Sequence, residues 1–540
     1  MHSEMKRFKD PIYGYIDIEI DIVENIIDTA NFQRLRDVVQ TSYAPLYASA
    51  VHNRFVHSIG VYHLGKIVAK SFLESLRSSE LENVETIERL AKIFEYACLL
   101  HDVGHAPFSH TGEGYYLSKD PSREQHHNEI QCIIKDENIL KEIADKNYKA
   151  AAHELMSCLV GLQEYAELFK SDEERGFFVR CITGYQYVED LDEKKSICNC
   201  MISLLNSSII DVDKLDYLIR DAYITGFNTI SIDYERLLTS VQIRKTDNQW
   251  YEIVYHKNAI SIIENVIYAH DAERKWIQNH PVVQYDAFLL RHAIESVNQK
   301  YDIQLFSQDS LTVKGKTLDG NLKVSLLSDS DIVFLMKNIE DDKLITEYFS
   351  RKDRRHPLWK SEAEYKAIFN KGYSDRGFVV IENAIDQIIK YLNSLNQLSI
   401  NQTAIEACKK DIEETEKLNI EMPALGIPIV IESKKRYLKW LECFKAFADS
   451  QGILFDFVIV KANQFNSGFG KVEVKDIKII FPDREEICKF EDVTNILLAN
   501  KSEREKFFYL FYYREDKKII DVSFLARELG KLALDEIYSN

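Results

Sequence analysis

The chain has 540 residues and a mass of 62.9 kDa, above the size at which one hydrophobic core stops growing, so more than one structural unit is expected. Its 45% hydrophobic and 29% charged residues exclude a disordered chain. Nine cysteines, with Cys198 and Cys200 the only close pair, give neither a disulfide scaffold nor the spacing of a structural zinc site. A formal charge of −18 argues against general binding of nucleic acid or anionic membrane, so any phosphate site must be a local basic pocket.

The N-terminal MHSEMKRFKD lacks the apolar stretch of a secretory signal, and no apolar run approaches the roughly 20 residues that span a bilayer. The expected compartment is the cytoplasm. With nine prolines and 19 glycines, and apolar residues recurring at three and four, the pattern predicts a mainly α protein. Between Glu88 and Leu100, the positions Leu90, Phe94 and Ala97 mark one helical face that delivers His101 to the core side. The pattern turns polar and glycine-bearing around 301–330, a first boundary, and a second falls near 440–455. Beyond it ILFDFVIVKANQF and KVEVKDIKIIF read as strands, followed by a helical KSEREKFFYLFYY, so the tail is α+β. There is no internal repeat or long flexible linker.

Ten of the fifteen histidines fall within the first 153 residues, a bias that points to a metal or acid/base site when aspartates lie nearby. Three segments carry it: HNRFVHSIGV (52–61), HDVGHAPFSH (101–110) and IDVDKLDYLIRDA (210–222). Imidazole and carboxylate together suit manganese, iron or zinc, or magnesium if water completes the shell, and the ligand candidates are His57, His101, Asp102 and Asp213. Adjacent His101 and Asp102 diverge on an ideal helix, so they can share an ion only at a helix end, where Gly104 and Pro107 break regularity. A His-Asp dipeptide alone would more often be a cap beside a core imidazole.

The surrounding words change that reading. DPIYGYIDIE, IIDTANFQRLR, HNRFVHS, HDVGHAPFSH and IDVDKLDY together resemble, in the same order, blocks of the HD-domain phosphohydrolases and more closely the deoxynucleoside triphosphate (dNTP) triphosphohydrolases. The nearest likeness is to vertebrate members that add a sterile alpha motif, which is not expected here because the blocks begin by residue 10. The resemblance implies an HD-domain helical core over 1–305, a helical extension over 306–445 and a smaller C-terminal α+β lobe over 446–540. It implies hydrolysis of a dNTP to deoxynucleoside and intact triphosphate with a divalent metal. Rival readings are an HD phosphohydrolase acting on a monophosphate or an alarmone, and a catalytically weak nucleotide-sensing module.

Residue roles follow from the same resemblance. His105 matches the histidine beside the α-phosphate, and Glu113 stands where the family has Asp in the proton relay. A second family histidine, followed by Glu, matches His153 in AAHELMS, with His126 and His127 as the alternatives. Arg54 and Lys214 match phosphate contacts. Gln40 matches the sugar contact, and His110 joins the substrate-binding set. Asp213, Tyr217 and Asp221 fall at i, i+4 and i+8, so one helix can present a metal ligand, a sugar-stacking ring and a carboxylate for the 3′ hydroxyl. Thr41 stands where the vertebrate enzymes have a leucine that crowds the 2′ carbon. Asp28, Gln33 and Arg36 match residues that read the guanine of an activating nucleotide, although an N-terminal helix packed at an oligomer interface would use them equally. A homo-oligomer, dimer or tetramer, is implied.

Overall fold

The computed structural model describes residues 4–77, 84–113, 128–130, 132–133, 150–207, 210–227, 231–246, 250–301, 307–317, 323–369, 375–421, 426–463, 467–484, 486–494, 506–514 and 518–539. The chain divides into two compact units. One comprises Met1–Arg274, Leu290–Asp341 and Asn466–Lys501, the other Lys275–Leu289, Asp342–Phe465 and Ser502–Asn540. Both are discontinuous, so the expected consecutive segments 1–305, 306–445 and 446–540 each contribute to both units. The expected boundary near 440–455 falls largely on a continuous helix, Ile427–Gln451.

The first unit is a helical core. Its main helices are α1 (Arg54–Arg77), α2 (Val84–Leu100), α3 (Ala152–Glu164), α4 (Asp172–Thr183), α5 (Glu193–Leu205) and α6 (Val212–Thr225). Leu90, Phe94 and Ala97 of α2 are buried as the periodicity predicts. Side chains in the sequence set the ends: Ser171, Asp192 and Asp211 cap α4, α5 and α6 by accepting a backbone N–H, while Gly184 and Gly226 close α4 and α6 in the left-handed region. Helix α1 packs against α2 and α6, and α4 against α2 and α3. Close approach fixes one residue in α1: a Cβ on Gly60 would lie 1.9 Å from Asp216 Oδ1, so only glycine lets α6 come this near.

A hairpin of Met5–Asp10 and Gly14–Glu19, not anticipated from the sequence pattern, precedes the helices. Asp10 Oδ1 accepts the backbone N–H groups of Ile12 and Tyr13 in its turn. A four-stranded sheet in the same unit runs Glu486–Lys489, Lys478–Phe481, Tyr251–His256, Val241–Lys245. Thus KVEVKDIKIIF contains a helical turn, Val472–Lys475, before its short strand.

The second unit packs helices on a four-stranded sheet ordered His356–Pro357, Lys506–Tyr512, Asp456–Asn463, Ile400–Asn401. Here the helical reading of KSEREKFFYLFYY is corrected: Lys506–Tyr512 is an inner strand, antiparallel to Asp456–Asn463. All six residues of Phe507–Tyr512 are buried. A continuous apolar run carries no period that separates strand from buried helix, and its aromatic richness decides for the strand. Among the described residues no disulfide joins two cysteines, and no helix is long and apolar enough to cross a membrane.

Candidate metal centre and active site

His57 lies on the first turns of α1, Asp213 at the start of α6, and His101 and Asp102 in the turn that ends α2. The helix stops there because the chain must pass under α3: a Cβ on Gly104 would lie 2.3 Å from the backbone nitrogen of Ser157, whose hydroxyl accepts the Gly104 N–H at 2.9 Å. The helix end thus turns His101 and Asp102 to one point. His57 Nε2 is 3.0 Å from Asp213 Oδ1, 3.3 Å from His101 Nε2 and 3.4 Å from Asp102 Oδ2. His101 Nε2 is 3.4 Å from Asp102 Oδ2 and 3.6 Å from Asp213 Oδ1.

The far side of each ring explains why these residues could hold a metal ion. His57 Nδ1 donates to Asp216 Oδ2 at 2.7 Å, and His101 Nδ1 donates to the Cys98 carbonyl at 2.9 Å. In the neutral rings both Nε2 atoms therefore carry lone pairs, and they face each other and two carboxylates. That concentration of electron density needs a positive charge at its centre. Burial opposes charging of His57, yet Asp213 and Asp216 lift its imidazole to about 9. Burial likewise opposes ionisation of Asp102, yet Arg54, His101 and His105 hold its carboxyl well below the usual range. A divalent ion answers the same demand, and the donor separations match those about an ion with bonds of roughly 2.1 Å.

Asp216 is the residue the sequence reading missed. It accepts from His57, from the Tyr13 hydroxyl at 2.7 Å and from Arg220 at 2.9 and 3.0 Å, which places the N-terminal hairpin behind the centre. The signal available was its place one helical turn after Asp213 in IDVDKLDY.

A second group adjoins the first. His105 Nε2 lies 3.3 Å from Asp102 Oδ1, and its ring stacks on His153 with centroids 4.1 Å apart. Glu113 Oε1 lies 2.8 Å from Nδ1 of His153, 2.8 Å from Nδ1 of His110 and 3.3 Å from Nδ1 of His105. Burial, Arg54 and the neighbouring His153 push His105 well below the ordinary histidine range. Burial opposes charge on His153 too, but Glu113 raises it to about 9. His126 and His127 lie outside the described residues.

The turn that carries His105 is strained: Phe108 and Ser109 have φ of 58° and 52°. Asp329 holds it by accepting the Phe108 N–H at 2.6 Å and the Val39 N–H at 2.9 Å. Arg34 adds a bond to the His105 carbonyl at 2.9 Å. Neither residue was anticipated from sequence, because each acts on backbone distant along the chain.

The remaining candidates take these places. Arg54 donates to Asp102 Oδ2 at 2.7 Å, Ser109 Oγ at 2.8 Å and the Gln40 carbonyl at 3.3 Å. Lys214 Nζ donates to Asp211 at 2.7 Å and to the Ser207 carbonyl at 2.7 Å. Asp221 Oδ1 faces His52 Nε2 at 2.7 Å on the helix that also carries Tyr217. Gln40 Oε1 and Thr41 Oγ1 are buried with no hydrogen-bond partner among the described residues. Arg36 Nε donates to Gln33 Oε1 at 2.7 Å and stacks on Phe55, while Asp28 pairs with Lys6 at 3.2 Å.

Residues 54–160 match the family model of the HD domain, a stretch that opens α1 and holds His57, His101, Asp102, His105 and His153. The chain carries an HD domain. It is similar to the deoxynucleoside triphosphate triphosphohydrolase SAMHD1 homolog of Dictyostelium discoideum, 30% identical over 54% of this chain and 50% of that one. SAMHD1 of Xenopus laevis is 27% identical over 66% of this chain and 55% of its own. The uncharacterized protein MG461 of Mycoplasma genitalium is 30% identical over 48% of this chain and 53% of its own. The chain spans about half the length of the curated relatives it matches. Among solved structures, a hypothetical protein from Aquifex aeolicus shares the fold, with a TM-score of 0.52 at 17% identity over 99% of this chain and 100% of that one.

Proposed function

We propose that the chain is a metal-dependent phosphohydrolase that cleaves dNTPs to deoxynucleoside and triphosphate. The observation that carries this reading is the convergence of His57, His101, Asp102 and Asp213 beside a stacked histidine pair joined through Glu113. The named activity of the relatives supports the substrate class.

Divalent metal held by these four residues would supply polarisation of an α-phosphate oxygen and a lower water pKa. The protein's own groups do the rest. Arg54 uses three of its five N–H donors among the described residues and offers the others to phosphate, with Lys214 as a second cation. His105 moves the proton to the departing 5′ oxygen, and Glu113, facing Nδ1 of both His105 and His153, links the two rings. Gln40 and Thr41 present buried acceptors to the sugar, Tyr217 stacks on it, Asp221 takes the 3′ hydroxyl, and His110 stands at the exposed side.

We assign Asp28, Gln33 and Arg36 to a guanine-nucleotide activator that promotes a homo-oligomer. Sedimentation and activity with and without GTP test that assignment, and no response to GTP leaves only packing. The main reading is tested by chromatography of purified, metal-loaded protein with each dNTP alone and in pairs. Deoxynucleoside plus intact triphosphate is expected. Orthophosphate or pyrophosphate would instead assign another HD-type hydrolysis.

A further inference from the structure

The N-terminal hairpin sends two polar side chains from its turn to the back of the His57 ring. Asp10 closes the turn with Oδ1 and accepts from Arg220 Nη1 with Oδ2 at 3.0 Å. Three residues on, the Tyr13 hydroxyl donates to Asp216 Oδ1 at 2.7 Å. Both residues are buried, and the Tyr13 ring packs on His63 and on Tyr234, each with its centroid 5.1 Å away. Asp213, Asp216 and Arg220 fall at i, i+3 and i+7 on one face of α6. Neither Asp216 nor any hairpin residue lies within the HD-domain stretch 54–160.

Asp216 is filled on every side. Of the roughly four acceptor positions of a carboxylate, the two on Oδ1 take the Tyr13 hydroxyl at 2.7 Å and Arg220 Nη2 at 3.0 Å. The two on Oδ2 take His57 Nδ1 at 2.7 Å and Arg220 Nε at 2.9 Å. Gly60 seals the set from α1, where a Cβ would lie 1.9 Å from Asp216 Oδ1 and 2.5 Å from Arg220 Nη2. With all four positions occupied the carboxylate cannot turn, and the imidazole bonded to it is held with its Nε2 toward His101 and Asp213. Loss of one bond releases both.

We propose that Tyr13 and Asp10 are positioning residues of the metal centre, acting through Asp216 and Arg220 on His57, so that the N-terminal hairpin sets how tightly a divalent ion is held. The proposal rests on the metal centre described above and on no assumption about the substrate. Hydrogen-bond partners behind a ligating imidazole change metal affinity by about 10–100-fold, and here those partners come from a segment at the other end of the chain from α6.

The test measures the manganese dissociation constant of metal-stripped, full-length protein from the electron paramagnetic resonance signal of the free ion, with manganese chloride as the only ligand added. Tyr13→Phe should raise the constant roughly 10-fold or more. Asp10→Asn, which removes the charge paired with Arg220, should do likewise. Tyr62→Phe is the control, since its hydroxyl is equally buried and has no hydrogen-bond partner among the described residues; it should move the constant by less than about twofold. A double-mutant cycle separates positioning from general packing: Asp216→Asn alone should raise the constant, and Tyr13→Phe added to it should raise it no further. Circular dichroism melts establish that each variant is folded, and if Asp216→Asn is not, the two tyrosine variants decide. An unmoved constant in Tyr13→Phe, an equal rise in Tyr62→Phe, or full additivity with Asp216→Asn overturns the proposal. A wild type that binds no manganese overturns the metal centre with it, whereas tight binding by both wild type and Tyr13→Phe overturns the hairpin's part alone.

Discussion

In the unit containing residues 342–465, Arg355 is buried between Glu347 and Asp456, and the hydroxyls of Tyr285 and Tyr513 donate to Glu347 at 2.6 and 2.7 Å. Arg354 pairs with Asp286 at 2.9 Å beside it. Each charge there meets its opposite, so the network is closed. In the HD unit, two imidazole lone pairs and two carboxylates converge within 3.6 Å, with Arg54 as a fixed cation on Asp102. Burial of charge is common to both regions. What separates a structural network from a ligand site is whether the buried charges sum to a satisfied set.

The largest effect tests the open set. Asp213→Ala should abolish metal retention and lower turnover by roughly 1,000-fold or more, given the several kcal/mol that metal catalysis supplies. The melting profile should stay folded. Elemental analysis and a turnover assay check this, and full activity in a metal-free variant would break the assignment. The closed set should respond in the opposite way. Arg355→Met leaves the buried Glu347 without its cation and Asp456 with only the exposed Lys343, and should lower stability by about 3–5 kcal/mol in urea titration, with metal content unchanged. Loss of metal with no loss of stability would erase the distinction between the regions.

A smaller effect separates the metal centre from its neighbour. His105→Ala should cut turnover by roughly 100-fold, the scale of a lost general acid, while the metal is retained. His153→Ala should behave alike, and His126→Ala and His127→Ala should be mild. The reverse order would transfer the role to the latter pair. The smallest effect concerns the sugar: Thr41→Leu should improve the dNTP over NTP ratio of kcat/KM by up to about tenfold, since an apolar wall rejects an added hydroxyl only modestly. An unmoved ratio would place Thr41 away from the 2′ position.

The convergence of His57, His101, Asp102 and Asp213 was legible because these residues are chemically distinctive and sit in compact words, and because Gly104 and Pro107 mark the helix end that lets His101 and Asp102 turn together. Asp216 was not, since a carboxylate one turn beyond Asp213 reads as an ordinary helix face until Gly60 brings α1 against it. Asp329 and Arg34 were invisible for a related reason: their partners are backbone groups of Phe108, Val39 and His105, and backbone leaves no mark in a residue pattern. The helical core followed from periodicity. Phe507–Tyr512 did not, because its uniform apolarity conceals whether strand or helix buries it.

The most direct test follows the water oxygen. Metal-loaded protein should be incubated with a dNTP in oxygen-18 water, and the products separated and weighed by mass spectrometry. Attack at the α-phosphorus breaks the bond to the 5′ oxygen, so one oxygen-18 is expected in the triphosphate and none in the deoxynucleoside. Label in orthophosphate or pyrophosphate, label in the deoxynucleoside, or no hydrolysis at all would contradict the proposed reaction.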